Sequence, residues 1–110
     1  MKYLLLIALT LTIAFGQSYQ EFAAKFGYEL NYDKALQRAK VEKKDVLLIQ
    51  VSNYCPWCRK FEKKTLSSDK INAEVQKNYV PLIVNRQEGA LHKRFDTPII
   101  PVSYIIDYRD

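Results

Sequence analysis

Two cysteines with the spacing of a redox pair are the residues with the clearest chemistry in this chain. They lie in Cys55-Pro56-Trp57-Cys58 and are the only cysteines among its 110 residues. Thiols at this spacing can close a small disulfide and open it again. The thiolate is the reactive form, and a free cysteine with a pKa of about 8.5 is mostly protonated at neutral pH. At a helix start, backbone N–H groups and the helix dipole would favour the thiolate of Cys55. The pattern therefore predicts thiol–disulfide exchange.

Two other roles for the cysteines fit less well. A disulfide that closes so short a loop removes little entropy from the unfolded chain, so it would stabilise the fold only weakly. A structural zinc site usually has four protein ligands, and besides the cysteines this chain offers one histidine, His92. We therefore predict no metal and no cofactor, and we interpret His92 as a solvated side chain.

The segments on either side of the cysteines predict a strand, a turn and a helix. Residues 45–52 are almost continuously apolar from Val46 to Ile49, which is typical of a strand buried on both faces of a sheet. A helix is expected over 55–66. Pro56 suits its first position, because the N–H that proline lacks would have no partner within the helix.

The remaining segments alternate between helices and strands. Apolar residues at helical spacing predict one helix that ends at Gly27 and another that begins after Asn31. Ser67 or Ser68 is expected to cap a later helix. The elements predicted after the cysteines are a helix over 69–79, strands over 80–84 and 102–107, and a polar loop over 85–96. This alternation indicates the α/β class, a central sheet flanked by helices.

The N-terminal segment predicts a cleaved signal peptide. Lys2 precedes an apolar run over 3–15, which is shorter than the roughly 20 residues that a membrane-spanning helix needs. Ala14-Phe15-Gly16 then places small residues before a cleavage point. We predict a signal peptide over 1–16 and a domain over 17–110 in the periplasm or outside the cell, with no stable membrane span after cleavage. An uncleaved anchor is the alternative.

The charge of the chain does not indicate a nucleic-acid partner. The formal net charge is +5, but basic residues are spread along the chain and mixed with acids, as in 59–64. There is no basic block with interleaved aromatic residues. We interpret the charges as mostly solvated helix faces, and we predict a monomer that does not bind nucleic acid.

In their order along the chain, these segments resemble the thioredoxin superfamily, and within it the exported thioredoxin-like proteins. The resemblance is carried by 32–36, 45–60 and 101–107, which together span nearly the whole predicted domain. It implies a thioredoxin-like fold. It also implies that Cys55 attacks a substrate disulfide and that Cys58 then resolves the mixed disulfide.

The resemblance further implies a substrate surface beside the cysteines. The family has a cis-proline opposite the cysteine pair, and the candidates here are Pro98 and Pro101. Pro101 fits better because it directly precedes a strand, whereas Pro98 would place a proline inside that strand. Ile100 would then face Cys55. Trp57 is expected to be exposed and to offer an apolar platform, so we predict that Trp57, Ile100 and Pro101 bind the substrate.

The chain departs from the family pattern in two respects. Many thioredoxins bury an acid six residues before the first cysteine, where this chain has Ile49. The family fold also continues through a further strand and a terminal helix, whereas this sequence stops at Asp110. We therefore expect a sequence that is truncated before its last strand and helix; the alternative is a sheet whose edge is covered in another way. We also expect Cys58 to be activated by water or by another group.

Together, these features predict an exported thiol–disulfide oxidoreductase. Its partners would be protein thiols or disulfides and an unidentified redox partner, and a reductant role is favoured. The alternative is a binding or redox-sensing module of the same fold without efficient turnover.

Overall fold

The structure, a computed structural model, describes residues 18–88 and 93–110. Its elements follow the order α1 (Tyr19–Phe26), α2 (Tyr32–Glu42), β1 (Asp45–Val51), α3 (Pro56–Phe61), a π-helical segment (Glu62–Leu66), α4 (Asp69–Asn78), β2 (Tyr79–Asn85) and β3 (Val102–Ile106). Short 3₁₀ turns occupy Arg86–Glu88 and Lys93–Phe95. None of the helices in the described ranges is long and apolar enough to cross a membrane. The predicted signal peptide and His92 lie outside the described residues and stay predictions.

The strand that precedes the cysteines, β1, lies in the middle of the sheet. Within the described residues the sheet has three strands in the order β2-β1-β3. β1 is parallel to β2, with Val46 opposite Val80, and antiparallel to β3, with Val46 opposite Ile106. The predicted burial of this strand on both faces is confirmed.

The two faces of the sheet carry separate apolar clusters, because side chains alternate along β1. Ile49 and Val51 belong to the cluster that contains both cysteines, which we call the cysteine-side cluster. Val46 and Leu48 belong to the other, the α2-side cluster. The cysteine-side cluster also includes Tyr19, Phe22 and Ala23 of α1 and Val75 of α4. The α2-side cluster includes Ala35 and Ala39 of α2. Helices therefore cover both faces, as predicted for the α/β class.

The helix ends agree with the predicted capping residues. Gly27 ends α1 in the left-handed region, at φ 77°. The side chain of Asn31 accepts a hydrogen bond from the N–H of Lys34 at 2.9 Å. Ser68, the second of the two predicted serines, accepts one from the N–H of Ile71 at 3.4 Å. These contacts satisfy N–H groups that have no partner within their own helix.

The helix predicted over 55–66 is two elements rather than one. α3 ends at Phe61, and the π-helical segment Glu62–Leu66 follows it. In this segment the N–H of Ser67 donates to the carbonyl of Glu62, five residues earlier, at 2.9 Å. A π turn is wider than an α turn, so it changes which side chains face the sheet. A pattern based on 3.6 residues per turn does not detect this change.

The polar loop predicted over 85–96 contains a core residue. Phe95 is 4% exposed and belongs to the α2-side cluster. Its ring lies 5.1 Å from that of Tyr104, and its carbonyl accepts a hydrogen bond from the side chain of Gln50 at 3.3 Å. The prediction of a polar loop was wrong here, because one aromatic residue among polar neighbours carries no periodic signal. The other predicted helix and strand ends agree with the structure to within one residue.

Candidate active site at the start of helix α3

Cys55 lies where the chain leaves β1 and enters α3. It is the N-cap of α3, with φ −126° and ψ 96°, and Pro56 occupies the first turn as predicted. Cys55 and Cys58 form a disulfide, and their Cα atoms are 5.1 Å apart. The backbone N–H of Cys58 donates to the Sγ of Cys55 at 3.0 Å. A donor in this position stabilises negative charge on that sulfur.

The two cysteine residues differ in their exposure to solvent. Cys55 keeps 8% of its surface exposed, whereas Cys58 has none. The order agrees with the family resemblance, in which the first cysteine is the accessible one. The exposure of Cys55 is nevertheless small, so a partner must approach closely to reach its sulfur.

An open groove lies beside the disulfide and contains all three predicted substrate-binding residues. Its volume is about 440 Å³. Its lining residues are Trp57, Lys60, Phe61, Lys64, Thr65, Ile100 and Pro101; we call it the Trp57 groove. Trp57 is 68% exposed, which agrees with its expected position on the surface. The fold therefore joins the turn after β1 to the segment before β3 in one surface.

The segment before β3 contains a cis peptide bond. This bond joins Ile100 to Pro101, so the structure distinguishes between the two candidate prolines in favour of Pro101. Ile100 packs against the cysteine-side cluster, which places it on the same side of the sheet as Cys55. The roles of Ile100 and Pro101 in substrate binding stay predictions.

A buried carboxylate that the sequence did not reveal lies one helical turn after Cys58. Glu62 is 2% exposed and forms a bidentate pair with Arg59, with Nε–Oε1 and Nη2–Oε2 distances of 3.1 and 2.7 Å. The interpretation of 59–64 as a solvated face was therefore wrong for Glu62, whereas Arg59 keeps part of its side chain exposed. Glu62 follows the fully buried Cys58 by four residues, so it lies on the same inward face of the helix. Ile49 occupies the position, six residues before Cys55, at which many thioredoxins bury an acid. It is 1% exposed and belongs to the cysteine-side cluster, so this position is apolar here.

Arg59 also contacts the loop that precedes Cys55. Its Nη1 lies 3.5 Å from the carbonyl oxygen of Asn53. The side chain of Asn53 in turn accepts a hydrogen bond from Asn85 at 2.8 Å, and its N–H donates to the side chain of Gln87 at 3.1 Å. The loop is therefore held to both α3 and the end of β2. The spacing of Asn53, Asn85 and Gln87 in the sequence gave no signal for this network.

The described residues contain no group of three or more His, Cys, Asp or Glu side chains arranged to hold a metal ion. Among the described residues, Cys55 and Cys58 are therefore the reactive groups of this site.

Comparisons with known proteins agree with this geometry. The family model described as thioredoxin-like matches residues 28–107. Among solved structures, a thioredoxin from Thermus thermophilus, determined in solution, superposes with a TM-score of 0.61 at 23% sequence identity. The alignment covers 71% of this chain and 62% of that thioredoxin, so the chain spans less than two thirds of its length. At this identity the likeness shows the fold. A comparison with curated proteins finds no match.

The chain belongs to the thioredoxin-like family, because the family model matches most of it and the fold agrees. The disulfide between Cys55 and Cys58 has the spacing of the family's redox pair. Family, fold and disulfide together support a thiol–disulfide redox role.

Proposed function

We propose that this protein is an exported thiol–disulfide oxidoreductase that exchanges electrons with other proteins. The observation that carries this proposal is the Cys55–Cys58 disulfide at the start of α3. Cys55 keeps a small exposed fraction and its sulfur receives a backbone hydrogen bond, whereas Cys58 is fully buried. This asymmetry suits one cysteine that meets the substrate and one that acts only after it.

In the reducing direction, the reaction begins with both cysteines as thiols. The thiolate of Cys55 attacks one sulfur of a substrate disulfide, forms a mixed disulfide and releases the other substrate sulfur as a thiolate. Cys58 then loses its proton and attacks the Sγ of Cys55, which releases the second substrate sulfur. Two electrons pass to the substrate, its two thiolates take up protons, and Cys55 and Cys58 are left as a disulfide. A redox partner protein must then return two electrons to the pair.

The Trp57 groove gives the substrate a place to bind. Trp57, Ile100 and Pro101 present apolar surface beside the cysteines, and Cys55 is accessible only to a chain that approaches closely. A protein segment that is held in the groove would bring its disulfide to Cys55. The substrate is therefore expected to be a protein rather than a small disulfide.

The reducing direction and export are supported by the sequence. The resemblance to exported thioredoxin-like proteins favours a reductant, and the apolar segment before Gly16 favours a signal peptide. Equilibration with glutathione buffers tests the direction. A reductant should have a potential nearer to the about −270 mV of thioredoxin than to the about −120 mV of strongly oxidising periplasmic proteins.

The variant Cys58→Ser tests the catalytic pair. Without the resolving thiol, a mixed disulfide at Cys55 cannot be released, so partner proteins should accumulate as adducts on non-reducing gels and disappear with dithiothreitol. Cys55→Ser is the matched control, since fully buried Cys58 should trap almost nothing. Equal trapping by both variants, or insulin reduction by the native protein no faster than by dithiothreitol alone, would contradict the proposal.

A redox-sensing or binding module is the second candidate function. It is favoured by the 8% exposure of Cys55 and by apolar Ile49 at the family's acid position. Such a module would bind its partner in a manner that depends on the disulfide, but it would turn over no substrate. Partner binding by native protein that is inactive towards insulin would support it.

A further inference from the structure

The Trp57 groove combines an apolar floor with two cationic side chains. Phe61, Ile100 and Pro101 contribute apolar surface, and the exposed residues Lys60 and Lys64 lie along the groove, one helical turn apart. The groove is therefore more than a hydrophobic platform. It also carries positive charge.

The positive charge of the groove is not neutralised by the rest of the described chain. Within residues 18–88 and 93–110, no carboxylate forms an ion pair with Lys60 or Lys64. The acid nearest to them in sequence, Glu62, is 2% exposed, and both of its oxygens are bound by Arg59. Among the described residues neither ammonium group therefore has a carboxylate partner, which leaves both able to pair with an acidic side chain of a bound segment.

One of these cations is held beside the residue that a partner would meet. The Nζ of Lys60 lies 4.9 Å from the centre of the Trp57 ring, within the range of a cation–π contact. This contact places positive charge over the exposed indole of Trp57, which is the second residue after Cys55 in the chain. Lys64 extends the positive charge along the groove.

We propose that the groove selects partner segments in which the reactive cysteine is accompanied by an apolar side chain and by aspartate or glutamate. This inference rests on the proposed function and names its substrate class. The apolar residue would occupy the floor, and the acidic residues would pair with Lys60 and Lys64. Because these ion pairs are exposed, they increase the rate of encounter and discriminate between partners, more than they add affinity.

The test compares two peptide disulfides with opposite charge. The probes are disulfide-linked homodimers of acetyl-Leu-Asp-Cys-Asp-amide and acetyl-Leu-Lys-Cys-Lys-amide, each reduced by the reduced protein at low ionic strength. Each rate constant is divided by that for dithiothreitol with the same peptide, because flanking charges alter thiol reactivity by themselves. We expect the acidic peptide to react roughly tenfold faster after this correction. The ratio should fall as salt screens the charges.

Charge reversal identifies the residues responsible. The double variant K60E/K64E should invert the preference for the acidic peptide. K60Q/K64Q, which removes both charges, should abolish the preference, and it replaces K60E/K64E as the test if that variant folds poorly. The matched control is K34E/K40E, which lowers the net charge by the same amount. It changes two exposed lysines on α2, which packs on the opposite face of the sheet. This control should keep the native preference.

The outcomes separate this inference from the proposed function. Equal corrected rates for the two peptides, or a preference that persists in K60E/K64E and K60Q/K64Q, would overturn the charge selection and leave the redox function in place. Loss of the preference in K34E/K40E would also overturn it, because overall charge would then be sufficient. Failure of the native protein to reduce either peptide or insulin would overturn the proposed function itself.

Discussion

The hydroxyl of Tyr28 is buried without a hydrogen-bond partner among the described residues. Tyr28 is 7% exposed in the cysteine-side cluster, and its ring lies 5.0 Å from that of Phe22. A buried hydroxyl that makes no hydrogen bond loses its hydration without compensation. Burial also raises the pKa of Tyr28 to about 12, since the phenolate would be desolvated.

Replacement of Tyr28 by Phe should stabilise the protein. At pH 7 the free energy of unfolding should rise by about 1 kcal/mol, because the variant removes a buried polar group that has no hydrogen-bond partner among the described residues. The pH dependence should change as well. Between about pH 10, where an unfolded tyrosine ionises, and about pH 12, where Tyr28 ionises when folded, the native state holds a proton that the unfolded state has lost. Stability should therefore fall across this window, and the fall should be smaller in Tyr28→Phe.

Urea unfolding at pH 7, 10 and 11 measures both effects. The matched control is Tyr54→Phe, the same chemical change at a side chain that is 87% exposed. It should alter neither the stability at pH 7 nor the alkaline slope. A loss of stability at pH 7 in Tyr28→Phe would show that the hydroxyl has a partner, and would contradict the prediction.

At the scale of elements, the junction between α3 and the π-helical segment depends on the pair of Arg59 and Glu62. The side chain of Glu62 is 3% exposed and that of Arg59 is 23% exposed. Arg59→Met would leave a buried carboxylate unpaired, which is strongly unfavourable. We expect the free energy of unfolding to fall by about 2–4 kcal/mol. A second change, Glu62→Gln, should restore part of this loss, because a buried amide costs less than a buried charge.

The control for the Arg59 variant is Lys63→Met, in the π-helical segment that follows α3. Lys63 is exposed, so its replacement should change stability by no more than about 0.5 kcal/mol. Denaturant titrations of the oxidised proteins measure these differences. If Arg59→Met were as stable as Lys63→Met, the pair would not support the junction.

The whole molecule should unfold as one unit, because β1 contributes side chains to both apolar clusters. Leu48 is fully buried in the α2-side cluster, whereas Trp57 is beside the disulfide on the other face. Leu48→Ala should lower the free energy of unfolding by about 2–5 kcal/mol. The loss should be the same whether unfolding is followed by Trp57 fluorescence or by far-ultraviolet circular dichroism.

Ile105→Ala is the control for this prediction, since Ile105 lies on β3 and is 62% exposed. It should shift both transitions only slightly. A Leu48→Ala variant whose circular dichroism transition shifts while its Trp57 transition stays in place would mean that the two faces unfold separately.

Features that depend on neighbouring residues could be predicted from the sequence. Gly27 and Asn31 mark helix ends because each satisfies backbone groups within a few residues of itself. The apolar run in β1 indicated a central strand, because a strand with apolar residues on both faces needs cover on both. The spacing of Cys55 and Cys58 likewise lies within a single helical turn and indicated their pairing. Local interactions of this kind are recorded in short stretches of sequence.

Other features were decided only by the tertiary structure, because they join segments that are distant in the chain. Trp57 and Pro101 line one groove only because β3 pairs with β1 and brings the two segments together. Glu62 is buried because the face of α3 that carries Cys58 packs against the sheet, although the neighbours of Glu62 in sequence are charged. The sequence by itself determined that this protein carries a closely spaced cysteine pair on a thioredoxin-like framework. Packing decided that the pair has a cationic, apolar groove beside it, because such a surface exists only once the sheet has formed.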